Sequence, residues 1–325
     1  MTVLPHTPGQ LIANNGQYDI PMSVYHSQCC AGPSVSSSGL RKIYLESPAD
    51  FWATSDLNEN RWEPADNDAF TFGRAAHSLL LGDEDFGKHF AIIPKSAPPR
   101  PTTAQIGARA EGRITDSSSE RFGFWDEFDA VNEGKDYLKE EELEAIHHIG
   151  HALESHPIVS VLLDGQAEQS LIWKDEQTGI WLKSRLDILA GTGDFADLKS
   201  TIQKSLPLLY RDIQRHGYDM QLGLATMAVE NVLNVPFTAE VYEGKSCILL
   251  FVHKKPPYHV MPVEVDFDAL YWARIKCRSA INTMAECIKT EHWPGPVEGI
   301  ATYSATYEAS KLAEMQADGL LPTFA

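Results

Sequence analysis

The sequence predicts a mixed α/β fold in which a central β-sheet is flanked by helices. Three segments with alternating apolar residues follow one another directly, at 166–173, 183–189 and 194–201. Helical periodicity precedes them at 137–154 and follows them at 208–232. Strands joined by short turns pair with one another, and helices with one apolar face cover such a sheet. The order therefore indicates a layered α/β domain.

The composition is that of a globular protein that can bury a sizeable core. The chain has 325 residues, of which 43% are hydrophobic and 22% charged. Its apolar runs are too short to cross a bilayer, and its N-terminus lacks the pattern of a secretory signal. We therefore expect a cytoplasmic protein with no membrane partner. The odd number of cysteines without regular spacing predicts reduced thiols.

The net charge of −18 argues against a protein that coats nucleic acid through a generally basic surface. It leaves open an enzyme whose positive charge is confined to a groove or channel. A local enrichment in basic residues lies around the three central strands and consists of Lys183, Arg185, Lys199, Lys204, Arg211 and Arg215.

The N-terminal part predicts a polar lead followed by short helices. Residues 1–24 have little periodicity, so a single domain is expected over 25–300, with a helical N-terminal elaboration. Ser36 and Ser38 stand where a helix is capped, and Ser47 precedes a proline that suits the first position of the next helix. The alternative for Ser36 or Ser38 is donation to a phosphate oxygen.

A further helix is predicted over 72–82, where Gly82 ends it. It carries His77, and a lone histidine on a helix is usually a core residue with satisfied hydrogen bonds. The small residues Gly73 and Ala76 would nevertheless let the helix approach another element with the imidazole directed at a site.

Prolines and serines over 94–121 predict a loop or mobile arm. Its basic residues suit contact with a polyanion, although a solvated linker explains them better. The helix at 137–154 carries His147 and His151 four residues apart. It lacks the glutamate of a zinc-protease motif, so we interpret both histidines as exposed helix residues.

The strand pattern over 183–201 brings acidic and basic side chains together. Asp197 and Lys199 project from the same face of their strand because side chains alternate with a period of two. On the preceding strand Leu186 and Ile188 are expected to face the core together, which leaves Asp187 beside the carboxylate of the next strand. Glu168 on the first strand is placed to add another oxygen.

Two carboxylates and a lysine suit a hard divalent cation and a phosphate substrate. Mg²⁺ takes a few carboxylate oxygens and keeps its other positions for water and substrate phosphate. A lysine beside it orients the attacking water or neutralises charge that develops on a phosphate oxygen. The spacing alone is a weak signal, because an ordinary hairpin with a surface Asp–Lys pair has the same pattern.

The remaining chain is expected to alternate helices and strands. The predicted elements are one long helix over 208–232 after Leu206-Pro207, strands over 237–241, 248–251 and 259–265, a long helix over 267–290, and a weakly helical tail over 301–325.

Several motifs occur in one order along residues 25–296. They are Ser36-x-Ser38, Ser47-Pro48, Gly73-Arg74-Ala75-Ala76-His77, Glu168, Arg185-Leu186-Asp187, Asp197-Leu198-Lys199, Tyr218-x-x-Gln221, Lys255-x-Pro257-Tyr258, and Cys287 with Trp293-Pro294-Gly295. Together they resemble the nuclease domain of the exonuclease VIII (RecE) group, which belongs to the PD-(D/E)xK restriction-endonuclease-like superfamily. The resemblance implies a restriction-endonuclease-like core.

The resemblance also implies an activity and a site. The activity is a Mg²⁺-dependent 5′-to-3′ exodeoxyribonuclease that leaves 3′ single-stranded tails on linear duplex DNA for recombination, with Mn²⁺ as a substitute metal. The implied metal ligands are His77, Asp187, Asp197 and the Leu198 carbonyl, and the implied catalytic residues are Asp187, Asp197, Lys199 and Glu168. The implied substrate contacts are Tyr218 and Gln221, and the further expected substrate contacts are Arg185, Ser36, Ser38 and Arg74.

Two departures and one absence qualify this picture. Ala225 stands where the family often has a tyrosine, and Arg185 begins a stretch that lacks the usual proline before Asp187. Related iron–sulfur nucleases use three closely spaced downstream cysteines; here only Cys277 and Cys287 could serve and the third is missing, so no cluster is expected. As a metal ligand His77 must be neutral, so activity should fall at acid pH.

The expected partners are ends of double-stranded DNA, further copies of the chain in a closed ring, and a single-strand annealing recombinase. In a ring the acidic surface would face outward and the local basic residues inward, so a protein of net charge −18 could still act on DNA. Three alternatives stay open: a RecB-like or CRISPR-associated nuclease of the same superfamily, a non-cleaving DNA-end-binding recombination accessory, and a chance hairpin. A phage or prophage origin is the expectation, with a host origin as the alternative.

Overall fold

A mixed seven-stranded sheet forms the centre of the molecule, and helices pack on both of its faces. The computed structural model of the protein describes residues 3–63, 68–82, 86–113, 115–159, 165–190, 193–303 and 306–320. The strands are β1 (Gly16–Tyr18), β2 (Ser34–Ser36), β3 (Phe90–Ile93), β4 (Asp136–Lys139), β5 (Gln166–Lys174), β6 (Trp181–Leu189), β7 (Phe195–Thr201), β8 (Cys247–His253) and β9 (Val260–Glu264).

Helices alternate with these strands along the chain. They are α1 (Met22–His26), α2 (Ser37–Leu45), α3 (Pro48–Thr54), α4 (Asp68–Leu80), α5 (Phe86–His89), α6 (Thr103–Ala110), α7 (Asp116–Val131), α8 (Glu140–Glu154), α9 (Leu206–His216), α10 (Tyr218–Leu233), α11 (Ala239–Tyr242), α12 (Phe267–Thr290) and α13 (Thr306–Ala317). Among the described residues, no helix is both long and apolar enough to span a membrane.

The sheet has the order β1-β5-β6-β7-β8-β9, and β2 pairs with β6 beside this path. β7 and β8 are parallel, as are β2 and β6, whereas β5, β6 and β7 are antiparallel neighbours. A separate parallel pair joins β3 to β4. The predicted mixed sheet with flanking helices is therefore confirmed.

The alternation of β8 shows how the sheet separates two apolar cores. Leu249 and Phe251 pack into the core formed with α2, α10 and α12. Ile248 and Leu250 pack into the core formed with α4 and α8. Because every residue of β8 is buried, the strand is covered on both faces, as a central strand with a parallel neighbour requires.

The prediction of a polar lead over 1–24 is wrong for the described part of that segment. β1 pairs with β5, and Tyr18 and Ile20 are buried in a third apolar cluster with Ile172 of the sheet. The strand spans three residues, and its partner is far away in sequence. Such a short strand carries no local periodicity that would reveal it.

The predicted loop or arm over 94–121 is wrong in its second half. α6 begins with a capping box in which Thr102 and Gln105 each accept from the other's backbone N–H, and α7 begins at Asp116. Arg100 and Arg109 each form two hydrogen bonds to aspartates of α7, and these aspartates are Asp129 and Asp126. The prolines at the start of this segment favour a loop, although Thr102 and Gln105 form the cap of a helix.

Two predictions after the central strands are also wrong. The single helix expected over 208–232 is divided at Gly217, whose φ of 63° ends α9 in the left-handed conformation that glycine adopts easily. The strand expected over 237–241 is the short helix α11, which Thr238 caps by accepting from Val241 N. Its apolar residues alternate, but over too few positions to separate strand from helix.

Four predicted segments lie partly outside the described residues. The positions that are not described are 1–2 of the N-terminal lead, 114 of the segment 94–121, 191–192 of the turn between β6 and β7, and 304–305 and 321–325 of the tail. Within the tail, α13 spans Thr306–Ala317.

The crossing of α10 and α12 depends on Gly223, and Gly223→Ala is expected to destabilise the protein by about 1–3 kcal/mol. A Cβ at Gly223 would lie 2.7 Å from Ala273 Cβ and 2.8 Å from its carbonyl carbon, so the helices would have to move apart. Urea denaturation measures the change. Gly107→Ala is the control, because a Cβ there meets nothing within 4 Å and the change should stabilise α6 by at most about 1 kcal/mol.

Candidate active site

An opening between β6 and β7 forms the site. The ladder between these strands consists of the pairs Ile188–Ala196 and Leu189–Phe195, and at its other end β6 pairs with β2 over 181–183. Strands β6 and β7 therefore diverge beyond Ile188, at Asp187 and Asp197. We call this opening the fork.

Side chains satisfy the backbone groups that the fork leaves without a strand partner. The Leu198 N–H donates to Asp187 Oδ2 at 2.7 Å, and His77 Nε2 lies 2.9 Å from the Leu198 carbonyl oxygen. A carbonyl oxygen can only accept, so this bond requires the proton on Nε2. Nδ1 of His77 then faces the acidic groups, at 3.6 Å from Asp187 Oδ2 and 3.8 Å from Glu168 Oε1.

Glu168 reaches the fork through an unusual backbone conformation. Its φ is 53°, and the β5–β6 ladder skips Glu168 and Asp187 although the pairs on either side keep one register. Glu168 also accepts from Arg185 Nε. A left-handed non-glycine residue costs energy, and such residues concentrate at functional sites.

Because the ladder is interrupted, side chains of β6 on either side of Asp187 point to different faces of the sheet. Leu186 packs in the core with α10 and α12, whereas Ile188 packs in the core with α4 and α8. The expectation that both face one core is therefore wrong. The irregular conformation opposite Asp187 breaks the strict alternation on which that expectation rested.

Asp197 and Lys199 lie on one face of β7, and the lysine Nζ contacts Asp197 Oδ2. Gln221 Nε2 of α10 donates to Asp197 Oδ1. The Tyr218 ring lies 5.2 Å from Lys199 Nζ, so the ammonium has an aromatic face beside it. Both members of the ion pair are largely buried, with side-chain exposures of 15% for Lys199 and 5% for Asp197. The geometry fixes the ammonium at the fork.

The charges in the fork are strongly coupled. Burial and the neighbouring Asp197 carboxylate raise the pKa of Asp187 to about 7. Burial lowers the pKa of His77, but the charge of Asp187 and the contact with Glu168 outweigh it and raise that pKa to about 9. Burial opposes ionisation of Glu168, yet His77 and Arg185 hold its pKa below the usual value. The acidic groups thus attract positive charge, and a proton on His77 supplies it.

These residues fit a divalent cation. One ligand atom each from His77, Glu168 and Asp187 lies within 4.8 Å of the others, the one such group among the residues that the structure describes. Carboxylate oxygens with an imidazole nitrogen suit Mg²⁺ or Mn²⁺. Asp197 was expected as a ligand but lies outside this group, where Lys199 and Gln221 engage its oxygens. Its role as a ligand stays a prediction.

The residues expected to contact substrate lie in three different environments. Tyr218 and Gln221 lie in the fork. Arg185 is bound inside the fold, where Nη1 donates to the Ile20 carbonyl and to Ser170. Arg74 of α4 pairs with Asp136 of β4.

Ser36 and Ser38 lie beside the fork rather than inside it. Their hydroxyl groups are 3.0 Å apart, and both line a cavity of about 340 Å³ with Lys42 and Lys183. Contact of either serine with substrate stays a prediction.

Two basic residues have functions in the fold that the sequence did not reveal. Lys183 is buried and donates to the carbonyls of Tyr25 and Ser27, each at 2.7 Å, so it holds α1 rather than a substrate. Arg41 donates to the His216 carbonyl at 2.9 Å and lies 5.8 Å from the Tyr218 ring. No spacing in the sequence signals either contact.

Comparisons with known proteins agree with this geometry. The model of the family described as "PDDEXK-like domain of unknown function (DUF3799)" matches residues 36–306. A solved structure from Eubacterium rectale, titled a "putative exonuclease", is similar with a TM-score of 0.55 and 13% sequence identity, over 90% of this chain and 98% of that one. At that identity the likeness concerns the fold. A search of curated proteins finds no match.

Proposed function

The chain belongs to the family of PDDEXK-like domains, and from that membership and the fork we propose that it is a divalent-metal-dependent nuclease. The observation that carries the proposal is the grouping of His77, Glu168 and Asp187 beside a lysine fixed by Asp197. Hydrolysis of a phosphodiester needs a held cation, an oriented water and a positive group near the phosphate oxygens. The fork offers residues for each.

The finer proposal concerns the substrate. We propose a Mg²⁺-dependent 5′-to-3′ exodeoxyribonuclease that acts on ends of linear duplex DNA and leaves 3′ tails for recombination. The order of motifs along residues 25–296 supports it, and the likeness to a structure titled as an exonuclease agrees with it. Under this proposal copies of the chain form a ring around the DNA, and a single-strand annealing recombinase receives the tail.

The residues of the fork would have different roles in the reaction. His77 through Nδ1, Glu168 and Asp187 would hold the cation. When bound, such a cation polarises the scissile phosphate and lowers the pKa of water. The Leu198 N–H fixes the Asp187 carboxylate, and the Leu198 carbonyl fixes the imidazole. Both ligands are thus oriented before substrate arrives.

The neighbouring face of β7 supplies the positive group. Gln221 and Lys199 both engage Asp197, which therefore keeps the lysine Nζ in one place. From there the ammonium can orient a water and neutralise charge that develops on a phosphate oxygen. Since Nζ is largely buried, its field is screened less than that of a surface lysine.

A time course on linear duplex labelled at the 5′ or the 3′ end tests the finer proposal, with closed circular DNA as the control. We expect early release of the 5′ label as mononucleotides, retention of the 3′ label, and intact circles. Early release of the 3′ label or cutting of the circle would contradict the proposed polarity or end dependence. Preference for single-stranded ends would favour a RecB-like or CRISPR-associated enzyme, and binding without release would favour a non-cleaving accessory.

A further inference from the structure

Helix α9 packs by one side and leaves an apolar surface in solvent. Leu209 is buried, whereas Leu206, Leu208 and Tyr210 are 50%, 39% and 49% exposed. Ile202, between β7 and α9, is 68% exposed. Leu206 and Tyr210 are four residues apart and share one side of the helix, whereas Leu208 points to another side. Large apolar side chains exposed next to each other mark binding surfaces.

Cations are interleaved with these apolar residues. Lys204, Arg211 and Arg215 are exposed, and Arg211 and Arg215 are four apart, on one face of the helix. Within the described part of the chain, none of the three forms an ion pair, and α9 itself contains one acid, the half-buried Asp212. Elsewhere exposed arginines are paired with acids, as in Arg61–Asp56, Arg100–Asp129, Arg109–Asp126 and Arg113–Glu111.

The end of α9 adjoins the fork, and its start is joined to β7, the strand that carries Lys199. At its start, Ile202 follows the strand that carries Lys199, and the Ile202 carbonyl lies 3.1 Å from His253 Nε2 at the end of the parallel strand β8. At its end, the ring of His216 lies 5.4 Å from that of Tyr218, which faces Lys199 Nζ. An eleven-residue helix is about 16 Å long, enough to contact several successive nucleotides.

We propose that the exposed surface of α9 and of the segment before it binds the DNA single strand at the fork. Lys204, Arg211 and Arg215 provide the cations, and Leu206 and Tyr210, which are four residues apart on another side of the helix, provide the apolar contacts. The inference rests on the proposed nuclease function and adds the surface that holds its substrate. The three cations contact phosphates, and the apolar side chains contact unstacked bases. Single-stranded DNA fits better than duplex, because a duplex keeps its bases stacked inside and would leave the apolar residues without a partner.

The test compares two triple variants by fluorescence anisotropy with a labelled single-stranded oligonucleotide in EDTA. Lys204→Gln, Arg211→Gln and Arg215→Gln together should weaken binding. They should also reduce the slope of log K against log salt by about 2, since each phosphate contact on a single strand contributes about 0.7. The control combines Lys139→Gln, Lys174→Gln and Lys311→Gln, three exposed lysines on other elements. Equal affinity and slope for both triple variants would overturn the inference.

A second variant separates base contact from charge and from self-association. Tyr210→Ala should weaken binding about tenfold without changing the salt slope, because base stacking does not release counterions. If the surface is instead an interface between copies, light scattering will show a changed mass with unchanged DNA affinity, which would overturn the inference. A wild type that neither binds nor cleaves DNA would contradict the proposed function itself. A cleaving wild type with unaffected α9 variants would contradict this inference alone.

Discussion

Asp187→Asn is expected to abolish DNA cleavage and leave the fold intact. Asparagine has the shape of aspartate, and its side-chain oxygen can still accept from the Leu198 N–H, which now donates at 2.7 Å. It carries no negative charge for a divalent cation. A loss of several kcal/mol of transition-state stabilisation, at about 1.4 kcal/mol per factor of ten, lowers the rate about a thousandfold or more. Initial rates on linear duplex in Mg²⁺ buffer measure it.

The same variant is expected to unfold no more easily than the wild type when metal is chelated. Burial and Asp197 raise the pKa of Asp187 to about 7, above the value in the unfolded chain. A carboxyl group whose pKa is raised by folding destabilises the folded state as pH rises above the unfolded pKa. Asparagine removes that penalty, so urea denaturation in EDTA near about pH 8 should show equal or greater stability. A large loss of stability would mean that lost activity reports unfolding.

Lys199→Ala is the second change with a large expected effect. The lysine Nζ is fixed by Asp197 and lies beside Tyr218, so the substitution removes the positive charge that contacts Asp197. Loss of a group that positions a water or neutralises a phosphate oxygen should lower turnover by about 10²–10⁴-fold. Affinity for Mn²⁺, measured by calorimetry, should stay the same or rise, because a neighbouring positive charge is removed.

The matched control for Lys199→Ala is Lys95→Ala, which removes a lysine–carboxylate pair with Glu144 on other elements. It should cleave at the wild-type rate. Near wild-type cleavage by Lys199→Ala would contradict the role of the lysine. Loss of Mn²⁺ binding in that variant would mean that Lys199 supports the ligands instead of the reaction.

The parts of the fold that could be predicted from sequence are those with local signals. The strands β5 to β7 carry runs of seven to nine residues with apolar side chains between short turns, and α12 keeps helical spacing over its whole length. The predicted helix cap at Ser47, which is followed by a proline, is confirmed because the Ser47 side chain accepts a hydrogen bond from Asp50 N. Each of these signals lies within one element.

The site depends on contacts that no local signal carries. β2 occupies the edge of β6 that β7 leaves, and Glu168 enters the fork through a left-handed backbone. Both are tertiary features, so the sequence predicted that Glu168 adds an oxygen to the site but not the left-handed backbone that brings it there. The division at Gly217 was missed because a glycine inside a helical pattern is also compatible with an unbroken helix. That division creates the separate α9 on which the single-strand surface rests.

The most direct test of the central claim is digestion of linear duplex DNA by the wild-type protein under control of the metal. The reaction is followed in Mg²⁺, then after addition of EDTA, then after excess Mg²⁺ is restored. The proposed function predicts digestion that stops on chelation and resumes on restoration, because it assigns to His77, Glu168 and Asp187 a cation that can be removed and replaced. No digestion in Mg²⁺, or digestion that continues unchanged in EDTA, would contradict it.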